Sequence, residues 1–215
     1  MKNLDPVALS LALALIGLVP LLIVVTTSFL KIAVVLSLLR NALGIQQIPP
    51  NMALYALALV LTVYVMAPVG HDIHEAVQTT PKAMSDVEAF FGAVQKGSGP
   101  LKTFLLKHSR PEQRDFFVAT AKRMWPPKHA DRVKSDDFLV LMPAFVVSEL
   151  TAAFEIGFLL YLPFVIIDLV VSNILMAMGM MMVSPTTISL PLKLFLFVLV
   201  DGWTRLIHGL VMTYV

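Results

Sequence analysis

Residues 138–183 read FLVLMPAFVVSELTAAFEIGFLLYLPFVIIDLVVSNILMAMGMMMV, interrupted by only three charges, Glu149, Glu155 and Asp168. A helix rises about 1.5 Å per residue, so about 20 apolar residues cross the hydrocarbon core of a bilayer. This stretch exceeds that length. It is read as a helical region over 138–167 followed by a hydrophobic block over 169–183. Pro143 is expected in the first turn, and Pro163, mid-pattern, is expected to kink or divide the segment. Ser184-Pro185-Thr186-Thr187 is a turn, and a last apolar helix is predicted over 190–214 with Pro191 in its first turn.

Upstream, residues 7–30 carry no charge, and the helical pattern continues through Lys31 to about Leu39. Residues 41–70 carry none either, with a predicted helical part at 52–67. Gly44 stops the first helix, Pro49-Pro50 prevents its continuation, and Asn51 is the expected N-cap of the second. Pro68 and Gly70 are expected to end that second helix. The N-terminal run is longer than a signal-peptide core and lacks a nearby small-x-small cleavage site, so it is read as a retained membrane segment.

Composition agrees. Hydrophobic residues make up 58% of the 215 and charged residues 14%, with a mean hydropathy of +0.83. Soluble domains average about 45–50% apolar and about 25% charged. The chain is therefore read as an all-α membrane protein with four hydrophobic helical regions. There is no cysteine, which excludes disulfides and thiolate metal sites. A net charge of +2 gives no argument for nucleic acid.

Between 71 and 137 the composition changes. This stretch holds 11 of the 16 Lys/Arg and 9 of the 14 Asp/Glu. It is read as a soluble helical insertion, with candidate helices at 81–96, 101–108 and 111–124. The expected division is an N-terminal hairpin at 1–70, the insertion at 71–137 and a C-terminal hairpin at 138–215. Lys31, Arg40 and Lys193 sit beside the short loops, which the positive-inside rule places in the cytoplasm. The insertion and both termini then face the periplasm.

Glu149, Glu155, Asp168, Asp201 and Arg205 lie within the last apolar regions. Each charge at mid-bilayer costs about 2.5–3.5 kcal/mol, and five facing lipid would cost roughly 12–17 kcal/mol. They must therefore face protein, water or the interface, or else pair. Asp201 and Arg205 are spaced i,i+4 and can pair with each other; the other three have no partner nearby in sequence. Two readings stand: a polar lining or proton relay, and subunit–subunit contacts within a complex. Ser148/Ala152 and Ala153/Gly157 have the small-xxx-small spacing that allows close helix contact.

Five of the 12 methionines fall in Met176-Ala177-Met178-Gly179-Met180-Met181-Met182. Methionine is unbranched and deformable, so the cluster is either helix-end packing or a compliant seal around a pore. His71-Asp72-Ile73-His74-Glu75 matches no zinc signature and is read as a polar helix exit, not a metal site. Lys122, Arg123, Trp125, Lys128, Arg132 and Lys134 form a basic stretch, either a solvated loop or one touching lipid headgroups. No nucleophile elbow, P-loop or dinucleotide fingerprint occurs, and neither catalytic residue nor cofactor is expected.

Several stretches resemble the FliP/SctR family of export-gate proteins. They are Thr27-Ser28-Phe29-Leu30-Lys31, the run from Leu39-Arg40-Asn41 through Gln46-Gln47-Ile48-Pro49-Pro50-Asn51, and Val65-Met66-Ala67-Pro68. Further on come Met142-Pro143-Ala144-Phe145, Ser148-Glu149-Leu150, Phe154-Glu155-Ile156-Gly157-Phe158, Tyr161-Leu162-Pro163-Phe164 and Ile167-Asp168. Last are Gly179-Met180-Met181-Met182, Ser184-Pro185, Ser189-Leu190-Pro191-Leu192-Lys193 and Asp201-Gly202-Trp203. The Gln46-Gln47-Ile48-Pro49-Pro50 form is more similar to the virulence-type branch than to the flagellar one.

The resemblance implies a non-enzymatic subunit of a type III secretion export gate in the bacterial inner membrane. It implies several copies, five expected, assembled with two other small membrane proteins into a portal for unfolded substrate proteins. The two hairpins would be bent, and the assembly would lie largely at the periplasmic side of the bilayer. Met180, Met181 and Met182 would line a closed constriction, and Glu149, Glu155 and Asp168 would be buried between subunits. The competing reading is a small proton-coupled or ion transporter working through the intramembrane carboxylates. A transporter should show paired or inverted repeats, and no such internal symmetry is found.

Overall fold

A computed structural model describes residues 17–18, 20–45, 47–78 and 87–215, with the backbone alone at 87–91, 93 and 94. Every described element is a helix, and no strand occurs among these residues. In chain order they are α1 (Pro20–Thr26), α2 (Phe29–Leu43), α3 (Asn51–Gln78), α4 (Val87–His108), α5 (Pro111–Met124), α6 (Pro127–Ala130), α7 (Phe138–Ala177), α8 (Pro185–Leu199) and α9 (Gly202–Met212). The chain divides into two compact units. One holds the residues up to Leu30 together with Val63–Glu149; the other holds Lys31–Thr62 and Leu150–Val215.

Several expected breaks fall elsewhere. The first predicted helix divides at Thr27 and Ser28. There the hydroxyls of Thr26 and Thr27 donate to the carbonyls of Leu22 and Ile23 at 2.6 and 2.5 Å. Such back-bonding competes with the helix ladder and bends helices. The Thr27 hydroxyl also accepts the Phe29 N–H at 3.3 Å, starting α2. Asn51 is not the N-cap of α3. The Pro50 carbonyl takes the first helical N–H groups, from Ala53 and Leu54. The Asn51 amide oxygen instead accepts from Arg40 at 2.6 Å, which ties off the turn after α2.

Pro68 does not end α3, which runs on to Gln78. Nor does Pro163 divide α7, whose 40 residues form one helix. Proline removes one ladder hydrogen bond, yet apolar membrane helices tolerate it where neighbours re-satisfy the backbone. At about 1.5 Å per residue α7 is roughly 60 Å long, twice the hydrocarbon thickness. Pro143 and Pro191 sit beyond the first turns of their helices.

The predicted loop Gly97-Ser98-Gly99-Pro100 is helical, inside α4. Gly97 is buried there because α3 crosses it closely: a Cβ would lie 3.1 Å from Val77 Cγ2 and 3.6 Å from Ile73 Cγ2. In the same unit Phe104, Leu105, Val140, Leu141, Ala144 and Phe145 form a buried core, with the Phe104 and Phe145 rings 5.7 Å apart. The backbone N–H of Arg110 donates to Ser148 Oγ at 2.9 Å. Lys102 pairs with Asp136 at 2.8 Å. The hydrogen bond from Lys102 holds the Asp136 carboxyl below the usual aspartate range, although so exposed a pair adds little stability.

The second unit is built on the apolar stripe of α2, where Ile32, Val35, Leu36, Leu39, Ala42 and Leu43 are buried at helical spacing. The predicted helix over 190–214 breaks by 62° between α8 and α9. Asp201 sits at the break in the left-handed conformation, with φ 52°. Gly202 then passes against the Phe197 ring, which a Cβ would overlap. Phe197 in turn packs edge-on to Trp203 at 5.4 Å and lies 6.5 Å from Phe164.

Gly157, one of the small residues singled out in sequence, faces Leu38, whose Cβ would lie 3.2 Å from an added methyl and whose Cδ1 would lie closer still. Gly157→Ala should therefore lower unfolding stability by about 1–3 kcal/mol through overpacking. A thermal melt of the detergent-extracted protein checks this. Leu38→Ala in the same chain should recover part of the loss; an unchanged melt for Gly157→Ala alone would contradict the contact.

α3 and α7 are each long and apolar enough to cross a membrane, and up to four spans result if each bent pair, α1–α2 and α8–α9, counts as one. Both helices bury little surface inside the chain. α3 buries only Leu54, Ala58 and Thr62, while Tyr55, Val60, Val63 and Tyr64 are exposed. On α7, Phe154, Phe158, Leu159, Leu162 and Ile166 are exposed. Apolar surface on this scale requires lipid or other subunits.

Candidate functional site

The loop between α7 and α8 is built to display methionine. α7 ends in a Schellman motif at Gly179, whose φ of 73° suits a residue without Cβ. The Gly179 N–H donates to the Met176 carbonyl at 3.0 Å, and the Met180 N–H to the Leu175 carbonyl at 2.9 Å. Val183 N–H then donates back to the Met180 carbonyl at 3.3 Å. Pro185 opens α8, at the first helical position where its missing N–H does no harm. The backbone of the turn is thus tied down while its side chains project. Met180 is 41% exposed, Met181 85% and Met182 100%. Burying a methionine fully is worth about 1.5–3 kcal/mol, so three exposed together on one turn leave a strongly apolar surface.

Behind the loop lies a charged cluster that local sequence reasoning missed. Lys193, on α8, donates to Asp168 Oδ2, on α7, at 2.6 Å. Ser189 Oγ donates to Asp168 Oδ1, also at 2.6 Å. Lys193 donates further to the Ala42 carbonyl at 3.3 Å, in the last turn of α2, where the helix dipole favours a cation. Only 5% of Lys193 is exposed. Asp168 therefore has its partner within the chain. The signal was present in hairpin arithmetic: Asp168 lies nine residues before the end of α7, and Lys193 eight residues after the start of α8. Residues equidistant from a turn face one another. A cleft of about 710 Å³ opens beside Lys193, between the Asn41–Ile45 turn and the first turns of α8.

The other expected polar residues are not gathered with these. Glu149 is buried in the first unit, with 3% exposed, while Glu155 is exposed on α7. Asp201 and Arg205 do not share a helix face, because Asp201 precedes α9 in the left-handed conformation. Asp201 Oδ1 accepts from Thr204 Oγ1 at 3.0 Å, and Arg205 is exposed. Ser148 and Gly157 serve the intrachain contacts already described. His74 accepts from Gln78 Nε2 at 2.7 Å along one face of α3. Among the described residues no group of three or more His, Asp or Glu side chains is placed to hold a metal. The side chains of Lys122, Arg123, Lys128, Arg132 and Lys134 are exposed around α5 and α6.

Two of the three cations on which the positive-inside reading rests are buried in contacts of the chain's own. Lys193 is one. Lys31 is the other, its Nζ 3.7 Å from the centroid of the Tyr214 ring. Arg40, the third, binds the Pro49 carbonyl and Asn51. Lys31, Arg40 and Lys193 thus all make contacts within the chain.

Comparison with known proteins covers the same elements. The chain is 57% identical over 210 residues to the Yop proteins translocation protein R of Yersinia pestis, across 98% of this chain and 97% of that protein. It is 48% identical to the virulence protein YscR of Salmonella typhimurium, across 98% and 97%. It is 45% identical to the hypersensitivity response secretion protein HrcR of Ralstonia nicotianae, across the full length of both. One of these relatives is named a virulence protein and none is named a flagellar one, in line with the Gln46-Gln47-Ile48-Pro49-Pro50 form. The profile of the FliP family matches residues 12–210, which include the methionine loop and the Asp168–Lys193 pair. By that match over nearly its whole length, the chain belongs to the FliP family.

Proposed function

We infer that this chain is a membrane subunit of the export gate of a type III protein secretion apparatus, a structural part of the conduit and not an enzyme. The observation that carries this is identity of 45–57% over essentially the whole chain to proteins named for translocation, virulence and hypersensitivity-response secretion. The apolar helices α3 and α7 support a membrane location. The finer reading places the chain in the bacterial inner membrane, with the assembled gate largely at the periplasmic side and the insertion 71–137 facing the periplasm. Several copies, five expected, assemble with two other small membrane proteins. The exposed faces of α3 and α7 are the surfaces available for such contacts, and the exposed Glu155, Asp201 and Arg205 provide polar groups for them, while Glu149 is the buried polar group of the set. The 1–70, 71–137 and 138–215 segments act as two bent hairpins flanking a soluble helical part. Unfolded secreted proteins pass through the central opening, and Met180, Met181 and Met182 close it between substrates.

The transporter reading loses its best carboxylate. A proton carrier must release its proton to water or substrate, whereas both oxygens of Asp168 are held by Lys193 and Ser189. Deleting the chain from its own cells should abolish secretion of proteins to the medium while leaving growth intact, and a plasmid copy should restore it. Undiminished secretion in the deletion strain would overturn the reading.

A further inference from the structure

We propose that Asp168, Lys193 and Ser189 form a latch that fixes the separation of α7 and α8 and thereby sets the stance of the methionine loop at their tip. This rests on the reading of that loop as the gate's seal. Asp168 receives one hydrogen bond on each carboxylate oxygen, both at 2.6 Å and both from α8. The two donors, Ser189 and Lys193, are one helical turn apart, so the carboxylate grips α8 at two points and fixes both its distance and its rotation. Lys193 also reaches the Ala42 carbonyl, which anchors the α7–α8 hairpin to the end of α2. The loop itself has a different kind of support. Its backbone bonds run to the last turn of α7, at Leu175 and Met176, and within the turn itself, from Val183 to Met180, while the side chains of Met181 and Met182 stand almost fully exposed. Those bonds fix the shape of the turn, but not the spacing of the arms beneath it.

A purely stabilising pair and a latch differ in one respect. Replacing a buried ion pair by apolar residues of similar volume is often neutral for stability. The directional hold on α8 would nonetheless be gone. Asp168, Lys193 and Ser189 are thus positioning residues, and their effect should be visible in hairpin geometry even where stability is retained.

The chain has no cysteine, so spin labels can be placed at Leu169→Cys on α7 and Val198→Cys on α8, both exposed. Pulsed dipolar spectroscopy on the assembled complex, diluted with unlabelled subunits, reads the distance between the arms. The Asp168→Leu/Lys193→Met double variant should melt near the parent temperature, yet show a distance distribution at least about twofold broader, as expected when a specifying polar contact is lost. Ser189→Ala, which leaves the ion pair, should broaden it by a smaller amount and serves if the double variant does not accumulate. An unchanged distribution in whichever variant accumulates overturns the latch. A gate that stays tight with alanine at Met180, Met181 and Met182 would sink the seal without touching this distance measurement, so the two readings fail separately.

Discussion

Replacing Met180, Met181 and Met182 together with alanine is expected to make the assembled gate leak small solutes while leaving its assembly intact. The three side chains project from a turn whose backbone is held by its own capping bonds, so their truncation leaves α7 and α8 undisturbed. What is lost is apolar contact in the closed state. Truncating a buried methionine removes about 2 kcal/mol or more, over tenfold in an equilibrium. Three together shift the closed-to-open balance by roughly 6 kcal/mol, more than a thousandfold, if all three are buried at the closure. Conductance of the gate in a planar bilayer reads this directly. Replacement by leucine, which keeps the apolar volume, should leak far less. A tight gate carrying three alanines would remove these residues from the seal.

The second large effect is an asymmetry between two variants of one ion pair. Asp168→Asn should destabilise the chain more than Lys193→Met. Removing the carboxylate strands an ammonium whose side chain is only 7% exposed, whereas removing the lysine leaves a carboxylate that is 35% exposed and still bonded to Ser189. An uncompensated buried charge costs about 3–5 kcal/mol. Asp168→Asn should approach that range, and Lys193→Met should fall well below it. Thermal unfolding in detergent, together with the yield of assembled complex, checks the order. Equal losses would mean that the two charges share one environment, contrary to their different exposure.

Much of the fold was legible because hydropathy is a long-range average. The apolar helical regions and the helix over 111–124 required only composition and period. The errors cluster where one residue was read as punctuation. Pro68, Pro163 and Gly97 looked like breaks, yet each lies inside a helix. At Gly97 the close approach of Val77 and Ile73, a tertiary contact invisible in a local window, supplies the reason. The opposite error occurred at Asp201, where an apparently continuous helix turns by 62° because Gly202 must pass the Phe197 ring.

The candidate site divides in the same way. The methionine cluster and its closing Ser184-Pro185 were readable as composition and turn chemistry. The resemblance to a family supplied the role proposed for the cluster. Asp168 was recognised as a charge needing a partner, but the partner stood 25 residues away across the turn. Lys193 and Lys31 were read as loop charges because sequence alone does not show that a lysine stem can run inward to an acid or a tyrosine ring. Such pairs are specified by the register of packed helices, which is settled only when the hairpin forms.

The most direct test of the central claim is native mass spectrometry of the detergent-extracted chain, co-expressed with its neighbouring membrane proteins. A gate subunit should appear in a closed complex holding several copies of this chain together with small membrane partners. A lone monomer or simple dimer, stable without any partner, would contradict it.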